Sequence, residues 1–138
     1  MNIDSIHNGV VIDHITAGMG MELYKLLDLG NLNCQVALIT NAASRKMGRK
    51  DIIKIATGLD LNLDTIGYVS PNITLNIIKR GVLVEKKRLL PPTELTGVIK
   101  CKNPRCITST EQELPHVFRL TDPDKRIYRC IYCETQAK

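Results

Sequence analysis

Cys101, Cys106, Cys130 and Cys133 stand as C-x4-C, an interval of 23 residues, and C-x2-C. Four thiolates so spaced can converge on one tetrahedral zinc, because each close pair makes a short turn whose two sulfurs point the same way. Disulfides suit the pattern less well. The chain has five cysteines, an odd number, and no apolar signal segment at Met1 to direct it to an oxidising compartment. An iron centre would accept the same ligands, but nothing nearby suggests electron transfer. Four protein ligands close the coordination sphere, so the expectation is one structural Zn2+ per chain with no open position for water or substrate. The segment from Thr96 onward holds few large apolar groups, and a core that small does not usually offset its chain entropy unaided. A structural zinc, worth on the order of 10 kcal/mol in apparent binding free energy, makes up the difference.

A second set of chemistry-bearing residues lies in the first two thirds of the chain, where polar groups interrupt apolar strands: Asp13-His14, the pair Lys50 and Lys54, and Lys86-Lys87-Arg88. A carboxylate able to accept from sugar hydroxyls, with lysines and an imidazole able to meet phosphate, is what a nucleotide requires. Each group has an ordinary alternative. An Asp-His pair at a strand end commonly makes a turn contact, and Lys-x-x-x-Lys on a strand commonly forms its solvated face or a protected edge. No P-loop and no Gly-x-Gly-x-x-Gly is present, so a phosphate site here would be built from side chains on a sheet. No Ser-His-Asp arrangement or paired carboxylates stand out, which makes the chain read as a non-enzyme. Cys34 reads as a small packing residue, and His7 and His116 have no evident partners.

The elements that must position these residues follow from periodicity. Gly9 to Ile15 is a β-branched run that predicts a strand. Thr16 is a candidate N-cap for a helix carrying Met19, Leu23, Leu26 and Leu27, stopped at Gly30. Gln35 to Thr40 predicts a second strand, followed by a polar loop from Asn41 to Gly48. Arg49 to Ile55 then alternates, with Lys50, Ile52 and Lys54 on one face and Asp51, Ile53 and Ile55 on the other. Thr57 to Ser70 is ambiguous between alternation and helix, is read as a short helix, and is stopped by Pro71. Ile73–Lys79 and Val82–Arg88 form a hairpin turning at Arg80-Gly81. The order β-α-β-β-α-β-β predicts an α+β fold: a ferredoxin-like antiparallel sheet with two helices on one face, then a small β-rich zinc-binding domain. Pro91-Pro92 breaks the pattern and sets the expected domains at 1–92 and 93–138.

At 138 residues and 43% hydrophobic, the chain suits one ordinary domain plus a small appendage. It has no apolar run of about 18 residues, so no membrane span is expected, and free-thiol usage points to the cytoplasm. The formal charge of +5 falls by about two when four thiolates bind a divalent ion. With one Phe, four Tyr and no Trp, the chain is also poor in stacking surfaces. These features weaken an alternative reading, a zinc-ribbon nucleic-acid binder using Lys100, Lys102, Arg105, Arg119, Arg126 and Arg129 on phosphates.

Four pieces of sequence, taken together, carry a resemblance: Val11-Ile12-Asp13-His14-Ile15; Met47-Gly48-Arg49-Lys50-Asp51-Ile52-Ile53-Lys54-Ile55; Pro71-x-x-Thr74-x-Asn76; and the cysteine quartet with Asn103-x-x-Cys106-Ile107 and Cys130-x-Tyr132-Cys133-Glu134. Over nearly its whole length the chain resembles the regulatory chains of aspartate carbamoyltransferase. The resemblance implies a non-catalytic subunit whose N-terminal domain binds CTP, ATP and related nucleotides as effectors in the control of pyrimidine biosynthesis. It implies that the zinc domain docks on the catalytic chain and that regulatory chains pair through their N-terminal domains as a homodimer, with neither nucleic acid nor membrane as a partner. Carried onto this sequence, Ile6 and its neighbours would border the base. Asp13 and Lys54 would meet the ribose and base region, and His14 and Lys86 the phosphates. Lys50, Ile52, Asn76, Ile78 and Leu83 would line the same pocket.

Overall fold

The computed structural model describes residues 7–58 and 61–137. The chain divides into two compact units between Leu90 and Pro91. In the first, β1 (Gly9–Thr16), α1 (Gly20–Leu26), β2 (Val36–Ser44), β3 (Gly48–Ile55), α2 (Leu63–Val69), β4 (Thr74–Lys79) and β5 (Val82–Arg88) follow in the expected order. They form a five-stranded sheet in the order β2-β3-β1-β4-β5, antiparallel throughout. This is the ferredoxin-like arrangement with β5 added to one edge by a hairpin. The two residues of that hairpin, Arg80 and Gly81, both have positive φ (54° and 76°), the conformation a two-residue turn needs to match the strand twist.

Alternation in the strands decides which face is covered. Val10 and Ile12 of β1, Ile53 and Ile55 of β3 and Leu75 of β4 are buried together with Leu23 of α1 and with Ile66 and Val69 of α2. Both helices therefore pack on one face of the sheet. Each fully buried Ile or Leu contributes roughly 1.5–3 kcal/mol of transfer free energy, so this face carries most of the unit's stability.

Several local expectations are corrected. Thr16 does not cap α1 but ends β1: its N–H and hydroxyl meet Ser70 Oγ at 3.1 and 2.6 Å, and its carbonyl accepts from Met19 N–H at 2.9 Å. Met19 holds the N-cap position without a side-chain bond. The helix stops before Gly30, because Asp28 turns left-handed (φ 55°) and starts the 3-10 turn Leu29–Asn31. The second strand runs on to Ser44 past a register shift between Ile39 and Ala42, leaving only Arg45 to Met47 as the turn. α2 begins only after Asn62, whose Oδ1 accepts from Asp64 N–H and Thr65 N–H at 3.1 and 3.2 Å. Leu59, which the sequence reading placed in this helix, lies outside the described residues.

The second unit holds β6 (Glu94–Thr96), α3 (Ile107–Thr110), β7 (Val117–Asp122) and β8 (Ile127–Cys130), with the strands in a sheet of order β6-β7-β8. Leu95, Val117, Phe118 and Tyr128 are buried here with Cys101, Cys106 and Cys130. Such a core is too small to outweigh chain entropy by transfer free energy alone.

Candidate functional site: an open sheet face and a tetrathiolate centre

The β7–β8 hairpin ends at Cys130 and brings the second cysteine turn beside the first. Cys101 Sγ lies 3.5 Å from Cys133 Sγ, Cys106 Sγ lies 3.6 Å from Cys130 Sγ, and all four sulfurs fall within 4.8 Å of one another. A disulfide would hold a pair at about 2 Å. A tetrahedron with metal–sulfur bonds of about 2.3 Å has edges of about 3.8 Å, which the observed separations fit. The turns are shaped for the purpose. Asn103 accepts from Cys106 N–H at its carbonyl (3.1 Å) and from Arg105 N–H at its side chain (3.0 Å), while Glu134, left-handed at φ 65°, donates its N–H to Cys130 O at 2.9 Å.

Burial pushes the Cys101 thiol up to about 12 and raises that of Cys130 as well, whereas the Thr135 hydroxyl brings Cys133 down to about 6. Four sulfurs this close cannot all ionise unaided; a divalent cation displaces the protons and is held by the charge. Thr108 Oγ1 and Thr135 Oγ1 lie 3.0 and 3.2 Å from the Cys106 and Cys133 sulfurs, so each can donate to a thiolate. The sequence reading missed both, although a repeated Cys-x-Thr carries the signal. His116 is also corrected, since its Nδ1 accepts from Cys101 N–H at 3.0 Å and so orients the first turn. The quartet fits one structural zinc with no open position.

In the first unit, the candidate residues collect on the sheet face opposite the helices. Cross-strand pairing runs Ala37, Lys54, Val11, Asn76, Lys86, one residue from each strand in a single row. Asp13 pairs with Thr74, Ile52 with Ile39, and Ile78 with both Gly9 and Leu83. Lys50 reaches Asp13 at 2.9 Å. Asp13, Lys50, Ile52, Lys54, Asn76, Ile78, Leu83 and Lys86 therefore share one face, and no element among the described residues covers it. Ile6 lies outside the described residues.

His14 sits at a β-bulge, where pairing with β3 shifts register between Ile12 and Ile15 and its own φ is 59°. A left-handed β-strand residue is strained, and such strain collects at ligand sites. Its N–H donates to Asp13 Oδ1 at 2.6 Å and its Nδ1 lies 2.9 Å from Thr74 Oγ1, which fixes the ring. Burial depresses the His14 imidazole; Asp13 opposes this, and Lys50, Lys46 and Lys86 add to it. Burial also disfavours the Asp13 carboxylate, but the Lys50 ammonium and the His14 N–H outweigh that and bring its value below the usual one. The side-chain oxygen of Asn76 is buried and has no hydrogen-bond partner among the described residues. Such an acceptor in the middle of a cationic row is incomplete without a donor.

Asp51 has a different role from its neighbours on β3. It is 1% exposed, and its carboxylate accepts from Gly18 N–H (3.0 Å), Gly20 N–H (2.9 Å) and Asn41 N–H (2.8 Å). A Cβ at position 20 would stand 2.8 Å from Asp51 Oδ2, so only glycine lets the carboxylate in. Asp51 thus ties the β1–α1 turn and the β2 bulge to the strand that carries Lys50, Ile52 and Lys54. Cys34 is half-buried against the same core, a packing residue as expected.

The chain thus combines an α+β sheet, one face given to the core and the other to a charged row, with a small unit gathered around four thiols, the architecture of a binding protein. Comparison with known proteins makes this specific. Residues 1–90 match the allosteric domain, and residues 93–138 the metal binding domain, of the aspartate carbamoyltransferase regulatory chain. Similar proteins carrying that name include those of Clostridium acetobutylicum (48% identical, covering 97% of this chain and 92% of the relative), Clostridium tetani (47%, covering 97% and 94%) and Bifidobacterium longum (40%, covering 100% and 99%). The chain belongs to the family of aspartate carbamoyltransferase regulatory chains, the non-catalytic subunits of that enzyme, and its partner is the catalytic chain.

Proposed function

We propose that the open sheet face binds a nucleotide effector, CTP or ATP, and that the metal unit carries the response to the catalytic chain. The observation that carries this reading is the five-strand row: Lys54 and Lys86 stand three strand spacings apart, about 14 Å, with the Asn76 oxygen, unpartnered among the described residues, between them. Asp13 and Lys54 take the ribose and base end, His14 and Lys86 the phosphates, and Lys50, Ile52, Asn76, Ile78 and Leu83 line the pocket, with Ile6 bordering the base. An effector that binds one quaternary state better than the other shifts activity by the difference in its two binding free energies, about 1–3 kcal/mol. Residues 1–92 serve the effector and 93–138 the docking. Ile107, Ile131 and Tyr132, exposed beside the metal ligands, suit burial against a partner. The exposed edge strand β5 suits pairing with a second regulatory chain. No described helix is long and apolar enough to cross a membrane, and a cytoplasmic site of action agrees with free thiols.

Titration calorimetry with CTP and ATP tests the assignment. Lys86→Ala is expected to weaken binding at least tenfold while the chain still assembles with the catalytic chain. Unchanged affinity would remove Lys86 from the site, and no heat with either nucleotide would sink the effector reading.

A further inference from the structure

Partway along β1 the strand changes which of its residues face the core. Val10 and Ile12 are buried there and Val11 and Asp13 face the open side, so strict alternation would send His14 inward and Ile15 outward. The register that pairs Ile12 with Ile53, carried on unchanged, would set His14 opposite Asp51 and Ile15 opposite Lys50. The bulge reverses both. Ile15 pairs with Asp51 and is fully buried, while His14 stays on the side of Asp13, where its ring meets Thr74, the cross-strand partner of Asp13. One extra residue therefore brings an imidazole onto the face that carries the Asp13–Lys50 pair.

The backbone of His14, at φ 59°, opposes this register, so other contacts must hold it. Asp51 is placed to do so. Its Oδ2 accepts from Gly18 N–H at 3.0 Å and from Gly20 N–H at 2.9 Å, and in the unshifted register both donors would be displaced by one residue from the carboxylate. Its Oδ1 accepts from Asn41 N–H at 2.8 Å, at the second bulge, which lies on the other side of β3 between Ile39 and Ala42. Thr16, bonded to Ser70, secures the end of the strand, and Asp51 secures the turn beyond it. We propose that Asp51 is a positioning residue for the open face: by catching Gly18 and Gly20 it selects the register that turns His14 out of the core and sets it beside Asp13 and Lys50. This deepens the nucleotide reading above and rests on it only where affinity is concerned.

The test uses the zinc-loaded full chain and compares wild type, Asp51→Asn and Gly20→Ala, the last of which keeps the charge but places a Cβ 2.8 Å from Asp51 Oδ2. The imidazole signals of His7, His14 and His116 are followed by NMR, with His14→Gln to assign them, and CTP affinity is measured by calorimetry. Both variants are expected to move the His14 signal, to leave those of His7 and His116 in place, and to weaken CTP binding at least tenfold. A loss of stability alone would not move the signal of the folded chain. A His14 signal that stays put in Gly20→Ala overturns the proposal, because movement in Asp51→Asn alone is the loss of a nearby charge. Should Gly20→Ala not fold, amide exchange in wild type decides: Gly18 and Gly20 must exchange as slowly as Ile15, and faster exchange overturns the proposal. A wild-type chain that binds no CTP refutes the effector reading instead, and the imidazole signals still judge Asp51.

Discussion

Single residues in this chain separate by what lies around them more than by their type. Asp13 and Asp51 are both acids on neighbouring strands, yet one faces lysine and imidazole on the open face and the other is enclosed by three backbone N–H groups. Removing the second carboxylate leaves three donors without their acceptor, and each such loss costs about 1–3 kcal/mol before water or relaxation compensates. Asp51→Ala is therefore expected to destabilise the first unit by about 3 kcal/mol or more, read as a lower urea midpoint by circular dichroism, while zinc content stays the same. A midpoint shift equivalent to less than about 1 kcal/mol would mean that the carboxylate is dispensable. The role of Asp51 was within reach of the sequence: an acid at a core position of an alternating strand demands donors, and Gly18 and Gly20 offer close backbone. What periodicity does not carry is which backbone arrives, because that depends on a turn 31 to 33 residues away.

At the scale of elements, the strands were legible and the helix ends were not. β3 alternates strictly, so its two faces follow from the sequence; the termini of α1 and α2 depend on Asp28 turning left-handed and on Asn62 accepting two N–H bonds, choices that compete locally with several alternatives. β5 is the element that the first unit leaves least protected. Val82, Leu83 and Val84 are 61%, 53% and 53% exposed on the edge strand of the described sheet. If regulatory chains pair there, Val84→Lys adds two buried like charges to the contact and is expected to shift the isolated regulatory chain from dimer to monomer in sedimentation velocity, with its circular dichroism unchanged. Persistence of the dimer would place the contact elsewhere.

Across the whole molecule, the two units are stable for different reasons. The first buries a continuous aliphatic face, whereas the second gathers its small core around four sulfurs. Chelation is therefore expected to unfold residues 91–138 and release the catalytic chain while the first unit keeps its structure, as hydrogen exchange would show. Cys130→Ala should do the same without a chelator. The pH sign follows from ligation. Metal-bound thiols are deprotonated in the folded state and protonated in the unfolded chain at neutral pH, so the stabilisation is present at and above neutrality and is lost as pH falls. Zinc release measured with a colorimetric indicator should steepen on acidification, and a flat profile would exclude thiolate ligation. The cysteine spacing disclosed this centre directly, since four ligands in two short turns admit few geometries. The division after Leu90 coincides in the sequence with nothing more than the pair Pro91-Pro92.

The split personality of β3 has one more outcome. Positions 51, 53 and 55 hold the architecture together, and positions 50, 52 and 54 lie on the open face of the sheet. Changes at the second set are expected to leave the scaffold folded, so a randomised library at those three codons, screened for folding and for nucleotide binding, separates the two faces of one strand.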